Sequence, residues 1–367
     1  MQTNKVKQLS NLGQSIWLDF FDRKLMNSGQ LQQYIEQDGV SGITSNPSIF
    51  EKAIASSTDY DEDIQKLSHN QGEIEQLFFL MAVKDIQRAA EFFEPVYHQS
   101  GGTDGFVSLE VSPRLARDTE ATIQQAIDLW KKVGKKNVMI KIPGTREGLP
   151  AIQQCIREGV NINITLLFGL ERYREVTDAY LAGLEERIQA GGSVDGIASV
   201  ASFFLSRIDV LLDPVLEQKG LKDLKGKVAI ALAKKAYQIY KEVFQGERFK
   251  QLSAKGVRPQ KVLWASTSTK NPDEPDTKYV EALIGPQTIN TIPVETLDAY
   301  RDHGDPKPRL EEGIDEANET LKKVETAGIQ LAAVSDQLEN EGLKKFDDAF
   351  QKLLTALKEK SQTITQV

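Results

Sequence analysis

Eight short apolar or alternating runs, separated by amphipathic stretches long enough for crossover helices, predict an α/β chain folded as a closed (β/α)8 TIM barrel. Two further observations favour this class. The chain has 367 residues, enough for a barrel of about 250 residues with helical insertions and a C-terminal helical extension. Polar side chains also gather at the downstream ends of the runs, where such a barrel carries its chemistry. An open doubly wound sheet fits the alternation as well, but the eightfold repeat favours closure.

The strand candidates are 16–20, 42–46, 106–111, 138–143, 160–168, 197–204, 261–267 and 288–293. Helical periodicity fills 73–93, 119–133, 172–190 and 225–244 between them. The connections 47–105 and 205–260 hold more periodicity than one crossover needs, so both read as helical insertions. After the last strand, Asp305-Pro306-Lys307-Pro308 breaks the pattern, and 311–327 and 341–360 read as closing helices. The expected organisation is a barrel over 1–304 with the extension 305–367 packed on it as one domain.

Composition narrows the function. Hydrophobic residues at 40% and charged residues at 27% are ordinary for a globular enzyme. A net charge of -8 argues against nucleic acid or an anionic membrane as the main partner, leaving small molecules. Cys155 is the only cysteine, so disulfide frameworks and cysteine zinc sites are excluded and a reducing, cytoplasmic setting is expected. The N-terminus has no signal-peptide core, and no run reaches the length of a membrane span. His69, His98 and His303 are scattered outside the strand runs, read as surface residues, and suggest neither a metal cluster nor a histidine triad.

One residue in the fourth run asks for a chemical reason. Val138-Met139-Ile140-Lys141-Ile142-Pro143 reads as a buried parallel strand, and strand alternation puts Lys141 on the inward face near its C-terminal end. Desolvation lowers a lysine pKa and makes the amine a nucleophile able to condense with a carbonyl. A buried ion pair is the more ordinary explanation of the same residue when it is taken alone. The other strand ends tip the balance. Parity turns Asp19 inward on the first run, Thr44 and Asn46 on the second, Ser108 and Glu110 on the third, and Asn161, Asn163 and Thr165 on the fifth. Ser202 and Arg207 follow at the sixth, and Ser266 and Lys270 at the seventh. A lysine with two carboxylates is what reversible carbon–carbon cleavage beside a ketone requires: a nucleophile, a group that moves the hydroxyl proton and a group that handles water. The enamine serves as electron sink, so no cofactor or metal is expected. The glycine-rich stretch 101–105 precedes its strand and reads as a turn, while 144–148 lacks the ending of a phosphate-binding P-loop.

The ordered pieces Leu18-Asp19, Gly42-Ile43-Thr44-Ser45-Asn46-Pro47-Ser48, Val107-Ser108-Leu109-Glu110-Val111, Ile140-Lys141-Ile142-Pro143, the run from Gly159 to Phe168, the run from Ser199 to Arg207 and Trp264-Ala265-Ser266-Thr267 resemble the transaldolases of the pentose phosphate pathway, in their longer bacterial form. In the tail, Glu341-Gly342-Leu343 with Phe346 and Leu353-Leu354 is similar to the helix that packs near the active-site mouth in that family. The resemblance implies Lys141 as the Schiff-base lysine, Asp19 as acid/base at the cleaved hydroxyl, and Glu110 with Thr165 as the pair that positions water. Asn46 and Asn163 would hold the dihydroxyacetone unit, Arg207 and Ser266 the sugar phosphate, and Ser202 joins the substrate-binding set. The family moves a dihydroxyacetone unit from sedoheptulose 7-phosphate to glyceraldehyde 3-phosphate, giving erythrose 4-phosphate and fructose 6-phosphate, without a cofactor. Sugar phosphates are thus the implied partners, and monomer and homodimer both stay open. One position departs: two residues beyond Ser266, many shorter relatives have a second phosphate-binding arginine where this chain has Ser268, and Lys270 is the candidate replacement. Fructose-6-phosphate aldolases of the same superfamily carry a tyrosine in place of the first-strand acid, so Asp19 favours transfer over simple cleavage. A noncatalytic sugar-phosphate binder would have little use for Lys141, Asp19 and Glu110 together.

Overall fold

The computed structural model describes residues 4–68 and 73–365. Eight parallel strands close a barrel in sequence order: β1 Gln14–Leu18, β2 Val40–Ile43, β3 Phe106–Glu110, β4 Val138–Pro143, β5 Ile162–Leu167, β6 Ser199–Phe204, β7 Lys261–Ala265 and β8 Thr288–Ile292. β1 pairs with β8, so no edge remains. The fold class read from the sequence is thus the observed one. β4 shows why these segments are strands: β-branched and other apolar side chains bury both faces, and Pro143, which lacks a donor, ends the run.

The strands are shorter than their apolar signal at the chemically important ends. Asp19 lies just past β1, although its N–H still bonds Ile292 O at 2.8 Å. Thr44 and Asn46 lie past β2, with Asn46 capping the helix Pro47–Ser56 through a 3.1 Å bond from Ile49 N–H to its Oδ1. A register shift between Ile164 and Leu167 interrupts the β5–β6 ladder.

Both insertions are helical. The first contains Pro47–Ser56, Asp61–Ser68 and Ile74–Gln99, the second Ser206–Gln218, Val228–Phe244 and Glu247–Ser253. Helix Ile74–Gln99 runs past the expected end at residue 93 and through Pro95, whose missing N–H falls near the end of the helix; Tyr97 beyond it packs edge-on against Phe106, 5.5 Å between centroids. A helix at Lys5–Asn11, capped by Asn4, precedes β1 and carried no expectation. The larger difference is the last helix, which begins at Leu331 and runs 35 residues to Thr365, where the sequence suggested a start near 341. At 1.5 Å per residue it is roughly 52 Å long. It crosses the end of the barrel where the strands finish: Ser335 lies against Gly169, Asn340 accepts from Arg117 at 2.6 Å, and Phe350 packs on Phe78 at 5.6 Å. Among the described residues, no helix is long and apolar enough to cross a membrane.

Candidate active site

The polar residues of the strand ends meet on the barrel axis, and contacts between non-neighbouring strands prove the inward parity. Asn163 of β5 donates to Ser108 Oγ of β3 at 3.0 Å, passing β4 on the inside. Asn163 Oδ1 in turn accepts from Ser202 Oγ of β6 at 2.7 Å, and all three side chains are buried. Lys141 reaches back past β3 to donate to Ser45 O at 3.2 Å. Its Nζ also stands 3.4 Å from Glu110 Oε2, its register neighbour on β3, with both side chains 5% exposed.

Burial, opposed by the Lys141 charge, pushes the Glu110 carboxyl up to about 7. Its other oxygen, Oε1, has no protein partner, and neither has the buried Thr165 Oγ1, on the neighbouring side of β4. Two such groups beside an amine can orient a water molecule. Asp19 is raised as well, burial outweighing Lys141, the Thr44 hydrogen bond, Arg207 and Lys270. Thr44 Oγ1 donates to Asp19 Oδ1 at 2.9 Å and lies 2.7 Å from Thr291 Oγ1, so Thr291 is the donor in that contact when Asp19 is ionised.

A cavity of ≈ 260 Å³ opens above Lys141 and is lined by Asp19, Asn46, Ser202, Arg207, Ser266 and Lys270, with Thr44, Thr291 and Phe346 completing its wall. Glu110, Asn163 and Thr165 are absent from that wall and sit around the lysine. Arg207, in the first turn of Ser206–Gln218, lies between Phe204 (5.4 Å) and Phe346 (6.0 Å) and has a buried Nη1 with no protein partner. Burial pulls its guanidinium pKa down against the pull of Asp19 and Glu341. Arg207 has the donors for an anion at one end of the cavity. Lys270 is exposed and donates to Ser268 Oγ at 2.6 Å, so the residue standing in the second arginine's place holds the candidate replacement.

The ten residues given a catalytic or substrate-binding role therefore gather in or under one cavity. Asn161, also read as inward, instead lies just before β5 and bonds backbone there, donating to Lys136 O at 2.9 Å and Val138 O at 3.2 Å and accepting from Ala198 N–H at 2.9 Å. Other residues had no individual role in that expectation. Ser45 acts through a backbone carbonyl, which leaves no side-chain signal. Phe346, which the resemblance placed on a helix near the active-site mouth, brings its ring 5.8 Å from Lys141 Nζ from the far end of the chain. Ser206 Oγ lies 2.8 Å from Ser266 Oγ, a contact hidden by a separation of 60 positions. Of the histidines, His98 and His303 are exposed and His69 lies outside the described residues. Among the described residues, no group of three or more His, Cys, Asp or Glu side chains is placed to hold a metal ion.

A model of the "Transaldolase/Fructose-6-phosphate aldolase" family matches residues 16–357. The chain is 46% identical to a transaldolase of Trichodesmium erythraeum over all of both chains. It is 47% identical to a transaldolase of Saccharopolyspora erythraea over 98% of each, and 45% identical to one of Thiobacillus denitrificans over 96% of this chain and 99% of that one. With a match from β1 to the terminal helix and relatives aligned end to end, the chain belongs to the transaldolase/fructose-6-phosphate aldolase family.

Proposed function

We propose that this family member is a transaldolase, moving a dihydroxyacetone unit from sedoheptulose 7-phosphate to glyceraldehyde 3-phosphate to give erythrose 4-phosphate and fructose 6-phosphate. The observation that carries the reading is Lys141, buried 3.4 Å from Glu110 and sharing a cavity with Asp19. The Lys141 amine adds to the donor's ketone carbon, and loss of water from the carbinolamine gives an iminium. Glu110 and Thr165 hold the water that leaves here and returns at hydrolysis. Asp19 takes the proton of the hydroxyl on the carbon to be released. The bond to that carbon breaks, its electrons flow into the iminium to form the enamine, and the aldose phosphate departs. The enamine then attacks the acceptor aldehyde, Asp19 returns the proton, and water frees the new ketose. Asn46 and Asn163 hold the three-carbon unit, supported by Ser202. Arg207, Ser266 and Lys270 hold the phosphate.

A coupled assay with fructose 6-phosphate, with and without erythrose 4-phosphate, tests the reading. Turnover should depend on the acceptor, and borohydride added with fructose 6-phosphate should leave a reduced three-carbon adduct on Lys141. Acceptor-independent release of dihydroxyacetone would make the chain an aldolase instead. No turnover and no adduct would sink both.

A further inference from the structure

We propose that Ser206 is a positioning residue for phosphate recognition: it fixes the Ser266 backbone and makes the Ser266 hydroxyl a committed donor to the substrate's phosphate monoester. This rests on the reading of the cavity as a sugar-phosphate site. Two contacts join the residues. Ser206 N–H donates to Ser266 O at 3.0 Å, and the two hydroxyl oxygens are 2.8 Å apart. Ser266 needs holding, because it has φ 54°, a left-handed conformation that residues other than glycine rarely keep. Ser206 is 1% exposed and does not line the cavity, whereas Ser266 does. Ser206 therefore acts on a ligand only through Ser266.

Proton counting gives the contact its direction. A hydroxyl has one proton to donate, and an ionised phosphate presents mainly acceptors. If Ser266 donates to phosphate, it cannot also donate to Ser206, so Ser206 must donate to Ser266. A bound anion thus selects one of two proton arrangements, and the chain from Ser206 through Ser266 to phosphate is mutually polarised. Arg207 follows Ser206 in the same helical turn, so the contact that fixes Ser266 also sets the spacing between the hydroxyl and the guanidinium.

The test compares wild type, Ser206→Ala, Ser266→Ala and the double variant on fructose 6-phosphate and on fructose, with one aldehyde acceptor. Titration calorimetry with inorganic phosphate reads binding without turnover. Ser206→Ala should raise KM for fructose 6-phosphate and Kd for phosphate about 5-fold, the effect of one ordinary hydrogen bond. Fructose turnover should change far less, and Ser206→Ala should add nothing in the Ser266→Ala background. Equal losses on both sugars would make Ser206 a structural latch, and additive penalties or an unchanged phosphate Kd would equally overturn the proposal. Should Ser206→Ala fold poorly, Ser206→Gly keeps the backbone N–H and repeats the titration. Absence of acceptor-dependent turnover in wild type would sink the transaldolase reading alone, since the phosphate titration still decides Ser206.

Discussion

At the scale of single residues, two carboxylates beside one lysine are given different work by their surroundings. Asp19 faces the cavity and accepts from Thr44, while Glu110 is buried against Lys141 with one carboxylate oxygen unpartnered. Asp19→Asn should therefore stop the carbon–carbon step and let borohydride-trappable adduct on Lys141 build up. Glu110→Gln should slow imine formation, leaving much less adduct at early times; equal adduct in both variants would refute the division. Glu110 also has a stability signature. Its pKa of about 7 lies above the ordinary value of 4.5, so between those limits the native state holds a proton that the unfolded chain has lost. Stability from this group is full below the lower limit and declines as pH rises through the upper one. The melting temperature of Glu110→Gln should accordingly gain on that of wild type between about pH 5 and about pH 7.5, whatever the offset between them. At the phosphate end, Arg207 has a buried, uncommitted Nη1 whereas exposed Lys270 already donates to Ser268. Arg207→Ala should raise KM for fructose 6-phosphate tenfold or more, on the order of one charge-assisted pair, and Lys270→Ala by a few-fold at most. The reverse order in steady-state kinetics would move the phosphate to Lys270.

Among the elements, the terminal helix decides how well the cavity is formed. Gly342 lets it come close: a Cβ there would stand 3.0 Å from Leu166 Cδ2 and 3.4 Å from Arg207 Nη1. One turn on, Phe346, 7% exposed, faces both Lys141 and Arg207. Truncating this ring removes packing and lets water reach both cations. Phe346→Ala should cost about 3 kcal/mol in denaturant unfolding and lower kcat/KM for fructose 6-phosphate. A destabilised variant with unchanged kinetics would show that the helix merely covers the barrel. The start of this helix was weakly marked in the sequence because 331–340 has only one fully buried hydrophobe, Leu338; Leu331 and Val334 pack against the core while partly exposed, and Ser335 and Asn340 make close or polar contacts.

Across the whole molecule, the helix that crosses the strand ends is anchored at its far end by the first insertion. Lys360 donates to Ile54 O at 3.1 Å and to Ser57 O, and pairs with Asp61 at 2.7 Å. Lys360→Ala should lower unfolding free energy by about 1 kcal/mol, a partly exposed cluster being worth no more. Its kcat on fructose 6-phosphate should stay near wild type, because Phe346 and Gly342 lie about four and about five turns away along the helix. A large kcat loss would show that this anchor is coupled to the cavity.

The sequence by itself determined the barrel, the inward set at the strand ends apart from Asn161, and the lysine among carboxylates. Each of these follows from a local rule: alternation along one strand, proline at its end, and the cost of burying a charge. Tertiary structure alone decided which groups touch across the axis. Asn163 bonding Ser108 and Ser202, Lys141 bonding a backbone carbonyl at Ser45, and Ser206 meeting Ser266 depend on barrel closure and on a register that no local pattern encodes. It also decided that Phe346, 205 positions after Lys141 and placed by resemblance only near the mouth, turns its ring to both Lys141 and Arg207. Helical periodicity tells that a face is buried, whereas the surface it is buried against is set only when the chain has folded.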